Sequence, residues 1–293
     1  MRTETEIYGL IIGIANADEN IRAVYMNGSR TNTNAPKDIF QDYDIVYVVG
    51  DTKPYIEDKS WIDRFGERLY MQYPDEHPDF PSDKENFYGW LMQFVDGNRI
   101  DLHVESISHA KENIYLDKLC KVLLDKDDMF TDVSEATDVD YHVKCPTKEQ
   151  FACICTEFWW CLNNVAKGLW RKEVSYVQDM LNFVVRKQLE KMLTWKIGID
   201  TDFKVAVGKS GKYMHRWLLK EEYKSYLATY CGADIEVCWA AVFKMCDLFE
   251  TTAWYVADKL SYQCNIDEAQ KARAFLMEVK RLPENATEIK LNM

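Results

Sequence analysis

The stretch AVYMNGSR (residues 23–30), followed after a connector by FQDYDIVYVV (residues 40–49), decides how this chain is read. Residues 23–26 are apolar and run straight into Gly28-Ser29, Pro36 interrupts the connection, and residues 43–49 read as a second strand. Asp42 and Asp44 are two apart, so on a strand they project from the same face, where two carboxylates can grip a divalent cation. A glycine followed by a hydroxyl residue lets the backbone approach a phosphate closely. Strand, glycine turn, connector and acidic strand, in that order, predict metal-assisted nucleotidyl transfer.

A third acid lies downstream. In NRIDLHV (residues 98–104) Ile100, Leu102 and Val104 face one way on a strand, and Asp101 and His103 the other. Asp96-Gly97 just before it is a hairpin signal, with residues 87–95 as the incoming strand. An acid in such a strand is costly to desolvate without a cationic partner, so Asp101 is a candidate third metal ligand and a candidate base for an acceptor hydroxyl. His103 is read as a satisfied strand histidine and is not counted as a ligand.

The run G-S-R, then F-Q-D-Y-D, then R-I-D-L (residues 99–102) resembles the aminoglycoside 6-adenylyltransferase (streptomycin adenylyltransferase) family of the nucleotidyltransferase superfamily. The likeness continues through K-G-L-W-R-K-E (167–173), T-W-K-I-G-I (194–199) and V-G-K-S-G-K-Y (207–213), and covers nearly the whole chain. It implies transfer of AMP from ATP, with Mg2+, to a hydroxyl of a cationic aminoglycoside, foremost the 6-position of streptomycin. Carried over by position, Asp42, Asp44 and Asp101 form the metal and catalytic cluster, and Gly28, Ser29 and Arg30 meet the triphosphate. Lys167, Arg171, Lys209 and Lys212 are further candidates for the nucleotide. Glu157 and Asp179 sit within otherwise apolar helical patterns, where an unpaired acid is costly, and are candidates for acceptor contacts or halves of internal salt bridges. Asn27 stands where the family pattern carries an acid, and Met180 where it carries a histidine; these departures bear on which acceptor is used. Two other readings stay open: a nucleotidyltransferase that modifies a protein or RNA, and a non-catalytic nucleotide-binding, antitoxin-like module.

Composition narrows the choice. With 293 residues and 47% apolar content the chain can bury a large core. A net charge of -12 is the opposite of the basic footprint a nucleic-acid partner needs, and would favour a polycation. Nine cysteines without paired C-x-x-C spacing argue against zinc and for a reducing cytoplasmic compartment. The N-terminal residues lack the basic start of a signal peptide, and Thr3 with Glu6 predicts a capping box at the head of a helix. No run is long and apolar enough to span a membrane, so no membrane partner is expected.

Two halves follow, an α+β arrangement. Residues 1–140 alternate strand-like runs at 23–26, 45–49, 68–73, 87–94 and 99–107 with turns and helices, and predict a nucleotidyltransferase-type mixed sheet with flanking helices. From Thr147 the period becomes helical, with Phe151, Cys155, Phe158, Trp159, Leu162 and Leu169 on one stripe. Residues 141–293 therefore predict a helical bundle that completes the ATP and acceptor cleft, with helices over 174–199, 221–230, 235–260 and 266–279. The proline-rich acidic loop 74–85 reads as an exposed connector, or as a rim attracting a cationic acceptor.

Overall fold

Alternation in the first half becomes a six-stranded mixed sheet in the computed structural model, which describes residues 1–291. The elements run α1 (Glu4–Ala17), β1 (Ile21–Asn27), β2 (Tyr43–Val49), α2 (Lys53–Glu57), β3 (Arg68–Gln72), β4 (Phe87–Phe94), β5 (Arg99–Ser106), α3 (Ile107–Asn113) and β6 (Cys120–Asp125). Spatial order is β3-β4-β5-β2-β1-β6. Only β2 and β5 pair in parallel; every other neighbour is antiparallel.

Period two sorts the two faces. Tyr43, Ile45, Tyr47 and Val49 of β2 and Ile100, Leu102 and Val104 of β5 join Ile7, Ile11 and Ile14 of α1 in one core. Trp61, Phe65 and Trp90 extend that core. On the other face Ala23, Tyr25, Val46 and Val48 pack with Ala110, Ile114 and Phe130. The side chains of Asp44 and Asp101 belong to this second face, at the sheet margin where β2 and β5 begin. The expected Thr3–Glu6 capping box is present at α1. β6 was not expected. It is an edge strand paired only with β1, and most of its residues are partly exposed, so its sequence lacks the alternation of a strand with one dry face.

The chain divides into two compact units, one up to Asp140 and the other from Tyr141 onward. The second is helical: α4 (Lys148–Trp170), α5 (Val174–Asp179), α6 (Arg186–Asp200), α7 (Lys220–Leu227), α8 (Ile235–Leu260) and α9 (Ile266–Arg281). The helix expected over 174–199 carries a π-helical segment, Met180–Val185, between α5 and α6. Phe158 of α4 stacks on Phe249 of α8 with ring centroids 3.7 Å apart, inside one core shared by α4, α6, α8 and α9. All nine cysteines are free, and among the described residues no helix is long and apolar enough to cross a membrane.

The β4–β5 hairpin is fastened to the start of the chain. The Asp96 carboxylate accepts from the Arg2 amide (2.9 Å), Arg2 Nε (2.7 Å) and Asn98 Nδ2 (2.9 Å). Burial pushes the Asp96 pKa up, but these donors outweigh it and hold the carboxyl well below the usual range. Because the folded pKa is depressed, the stabilisation is present above the ordinary carboxylate pKa and is lost as pH falls through and below it. Asp96→Ala should therefore cost about 1–3 kcal/mol at neutral pH, the scale for charge-assisted hydrogen bonds. Urea melts of both proteins should converge as pH is lowered into the acid range; a gap independent of pH would assign the loss to packing.

Candidate active site

Three strand ends meet at one margin of the sheet. In the register, Asn27 at the end of β1 lies opposite Asp44, and Asp44 lies beside Asp101 of β5. Asp44 and Asp101 are thus neighbours on adjacent parallel strands, with side chains on the same face. Asp42 precedes β2 and adds a third carboxylate. Asn27 is paired with Asp44 in the register and sets an amide beside the carboxylates.

Gly28 makes room for this. Its φ of +78° turns the chain out of β1, and a Cβ built on it would lie 2.1 Å from Asp44 Oδ2. The Asp44 carboxylate therefore occupies the space that any other residue at position 28 would fill. The turn is held by Gly28 N donating to Leu119 O (3.2 Å) and by Thr31 N and Oγ1 donating to Gly28 O. Ser29 is partly exposed in this turn, and its carbonyl accepts from Gln41 Nε2 (3.3 Å).

Arg30 is engaged within the loop that carries Asp42. Its guanidinium lies 3.6 Å from the Tyr43 ring centroid and donates to the carbonyls of Asp42 (3.0 Å) and Gln41 (2.8 Å). It closes the loop carrying Asp42, and a phosphate contact would have to replace those bonds. The cation that does reach the acids is Arg99, which the sequence reading did not select as a site residue. Arg99 grips Asp101 bidentately (Nε–Oδ1 2.8 Å, Nη2–Oδ2 2.7 Å), and its Nη1 is 3.6 Å from Asp42 Oδ2. The sequence did hold a signal: Arg99 and Asp101 are two apart on one strand, on the same face.

Electrostatics follow from the crowding. Burial, then the neighbouring charges of Asp101 and Asp42, push the Asp44 pKa up to about 6 against the opposing pull of Arg99 and Arg30. Asp101 is nearly buried and Asp42 about a third exposed. Three oxygen-bearing acids with surplus negative charge are the donor chemistry of a hard divalent cation. As placed, no set of three His, Cys, Asp or Glu side chains among the described residues is closed around a metal position; here Arg99 occupies both oxygens of Asp101.

Several other titratable side chains of the first unit are engaged elsewhere. His103 is partly buried and stacked on Phe87 (centroids 4.5 Å apart), and burial pushes its pKa down. Glu105 accepts from Tyr25 Oη (2.6 Å). In the acidic loop, Asp75 accepts from the Gly89 amide (2.8 Å), and Glu76 is tied to Lys84, Lys59 and Tyr88. The connector reading of that loop fits these contacts, and Glu76, Asp79, Asp83 and Glu85 are exposed on it.

The remaining sequence-predicted residues lie in the second unit. Lys167 and Arg171 line one cavity of about 360 Å³ with Trp170 and Phe275. Lys209 and Lys212 sit in one exposed turn, where Gly208 and Gly211 both have φ of +71°. Glu157 and Asp179 are exposed; the desolvation cost expected for acids within apolar helical patterns does not arise, because both point away from the core.

A strand-ending glycine turn against a carboxylate cluster on a mixed sheet is the architecture of a nucleotidyltransferase. The family model described as streptomycin adenylyltransferase matches residues 1–279, and the chain belongs to that family. Its relatives include aminoglycoside 6-adenylyltransferases from Campylobacter jejuni (39% identical over 263 residues, 90% of this chain and 91% of that one) and Bacillus subtilis (36% over 264 residues, 90% and 93%). A third, from Staphylococcus aureus, is 34% identical over 264 residues, covering 89% of this chain and 92% of its own. The chain is an adenylyltransferase, and ATP is the co-substrate its family implies.

Gly28→Ala tests the site geometry. The added methyl collides with Asp44, and a left-handed alanine costs about 1 kcal/mol in backbone strain. Adenylyl transfer should fall about 100-fold or more while the melting temperature drops by only a few degrees. Near wild-type turnover would mean that the Asp44 position is not needed.

Proposed function

We propose that the protein transfers AMP from Mg-ATP to a hydroxyl of an aminoglycoside, with the 6-position of streptomycin as the leading acceptor, and thereby inactivates the antibiotic in the cytoplasm. The observation that carries this reading is the side-by-side placement of Asp44 and Asp101 on one sheet face, with Asp42 and the Gly28 turn against them. Family membership and the names of the relatives support the acceptor class.

Asp42, Asp44 and Asp101 would hold Mg2+. When bound, the ion supplies charge neutralisation at the triphosphate. The Gly28-Ser29 turn offers backbone and a hydroxyl to the departing pyrophosphate, where negative charge accumulates as the acceptor oxygen attacks the α-phosphorus in line. Asp101 takes the acceptor's proton, which requires that its oxygens first be released from Arg99. The transfer is direct, without a covalent enzyme intermediate. In the second unit, the cations Lys167, Arg171, Lys209 and Lys212 contribute to the nucleotide and the acids Glu157 and Asp179 to the acceptor. The net charge of -12 suits a polycationic acceptor and disfavours RNA.

Incubation with Mg2+, each nucleoside triphosphate and a panel of aminoglycosides, followed by product mass, tests the whole reading. An AMP adduct should form on streptomycin with ATP, and absence of any adduct across the panel would overturn the assignment. Asp44→Asn should lower turnover by about 100-fold or more with an unchanged circular dichroism spectrum. Asp101→Asn should keep Mg-ATP binding within about tenfold while turnover falls by about 100-fold, the scale of a positioned base. Equal losses in both would leave Asp101 a ligand only.

A further inference from the structure

Arg99 stands where a cation is needed before any metal arrives. Asp101 is nearly buried and both of its oxygens are taken by the guanidinium, whereas the Arg99 side chain is 43% exposed and reaches Asp101 from the solvent side. A carboxylate this buried needs a counter-charge. Among the described residues Asp101 makes no other side-chain hydrogen bond or ion pair, and the same guanidinium reaches Asp42 at 3.6 Å. One arginine therefore spans two of the three acids proposed to hold Mg2+. While the bidentate pair is intact each Asp101 oxygen already accepts from the guanidinium, whose positive charge opposes a divalent ion at the same carboxylate.

We propose that Arg99 is an exchangeable counter-ion: it holds Asp101 in the nucleotide-free enzyme, yields that carboxylate when the metal and nucleotide enter, and turns to the triphosphate. Charge arithmetic favours the exchange. Three carboxylates outnumber the nearby guanidinium groups of Arg99 and Arg30, so the site is net negative and attracts a divalent cation; the released Arg99 guanidinium is then free to meet an anionic nucleotide. The long, exposed side chain can make this move without displacing β5, because the backbone of Arg99 is the first residue of the strand. Arg99 acts on Asp101 as a positioning residue and on the nucleotide as a binding residue. This inference rests on the metal assignment proposed above.

The test uses Mn2+ alone, read by the electron paramagnetic resonance signal of the free ion, together with calorimetric titration of Mg-ATP. Arg99→Gln removes the competing charge, so Mn2+ without nucleotide should bind about tenfold tighter than to wild type, the scale of one unit charge removed at short range. Mg-ATP should bind about tenfold more weakly, since the guanidinium no longer reaches the triphosphate. Unchanged or weaker Mn2+ binding would overturn the proposal, and so would tighter Mn2+ binding with unaltered Mg-ATP affinity, because a static counter-charge gives that pair of results. Arg99→Lys, which keeps the charge but not the fork, covers the case in which the glutamine variant does not fold. The lysine should release Asp101 more readily, giving Mn2+ binding several-fold tighter than wild type, and equal or weaker binding would again overturn the exchange. Mn2+ should also raise the melting temperature of either variant more than that of wild type, because it replaces the partner that Asp101 has lost. The metal assignment is checked separately with Asp42→Asn in the wild-type background: loss of Mn2+ binding there supports the metal site whatever Arg99 does, and unchanged Mn2+ binding would remove the metal site and this proposal with it.

Discussion

The parallel pairing of β2 with β5 is the constraint on which the rest of the first unit depends. It is the one parallel contact in an otherwise antiparallel sheet, and it sets Asp44 beside Asp101 with both side chains on the face away from α1. A slip of one residue would turn these acids into the core formed by Ile11, Tyr47 and Trp90 and bring Ile45 and Leu102 out. That core fixes the register because those apolar side chains have nowhere else to go. Hydrophobic burial on one face thus maintains electrostatic crowding on the other. Burial first, and that crowding second, raise the proton affinity of Asp44.

Much of this was legible in the sequence for a physical reason. The alternation of Ile100, Leu102 and Val104 against Asp101 and His103 is a statement about faces, and faces do not depend on distant parts of the chain. The Gly28 turn was legible because only glycine tolerates both the left-handed φ and the carboxylate against its Cα. The likeness to a known family added the acceptor class, which no local pattern supplies, and supported the basic turn at Lys209 and Lys212. What escaped depended on pairings between segments. β6 has no dry face of its own and became a strand only because β1 offered an open edge. Arg30 and Arg99 look alike as isolated cations beside acidic motifs, yet one clamps loop carbonyls and the other a carboxylate. Glu157 and Asp179 looked costly within apolar repeats, but the helices turn them outward.

The helical unit shows how a sequence can be correct in type and wrong in detail. The periodic stripe Phe151, Cys155, Phe158, Leu162 and Leu169 is buried, and Trp159 packs with it. The long helix after Val174 is nonetheless broken in its hydrogen-bond pattern by the π-helical segment that starts at Met180, one residue past Asp179. Widening a turn shifts every later side chain around the helix axis, so Arg186 reaches the buried Thr229 hydroxyl and carbonyl and stacks on Tyr230 at 3.6 Å. A residue count along an ideal helix would not find these partners.

The same β2–β5 contact has a consequence for how the molecule comes into being. The two strands are separated in sequence by α2, β3 and β4, so their pairing closes a long loop and its entropy must be met before the contact rewards it. β1, β2 and the glycine turn leave the ribosome well before β5 does. Until β5 docks, Asp44 lacks the neighbour at its side, and the apolar edge of β2 stays open. The nascent chain therefore carries the motif without the site. Asp44 and Asp101 become neighbours only when that long loop has closed, so the pair is a property of the tertiary structure and of no single segment.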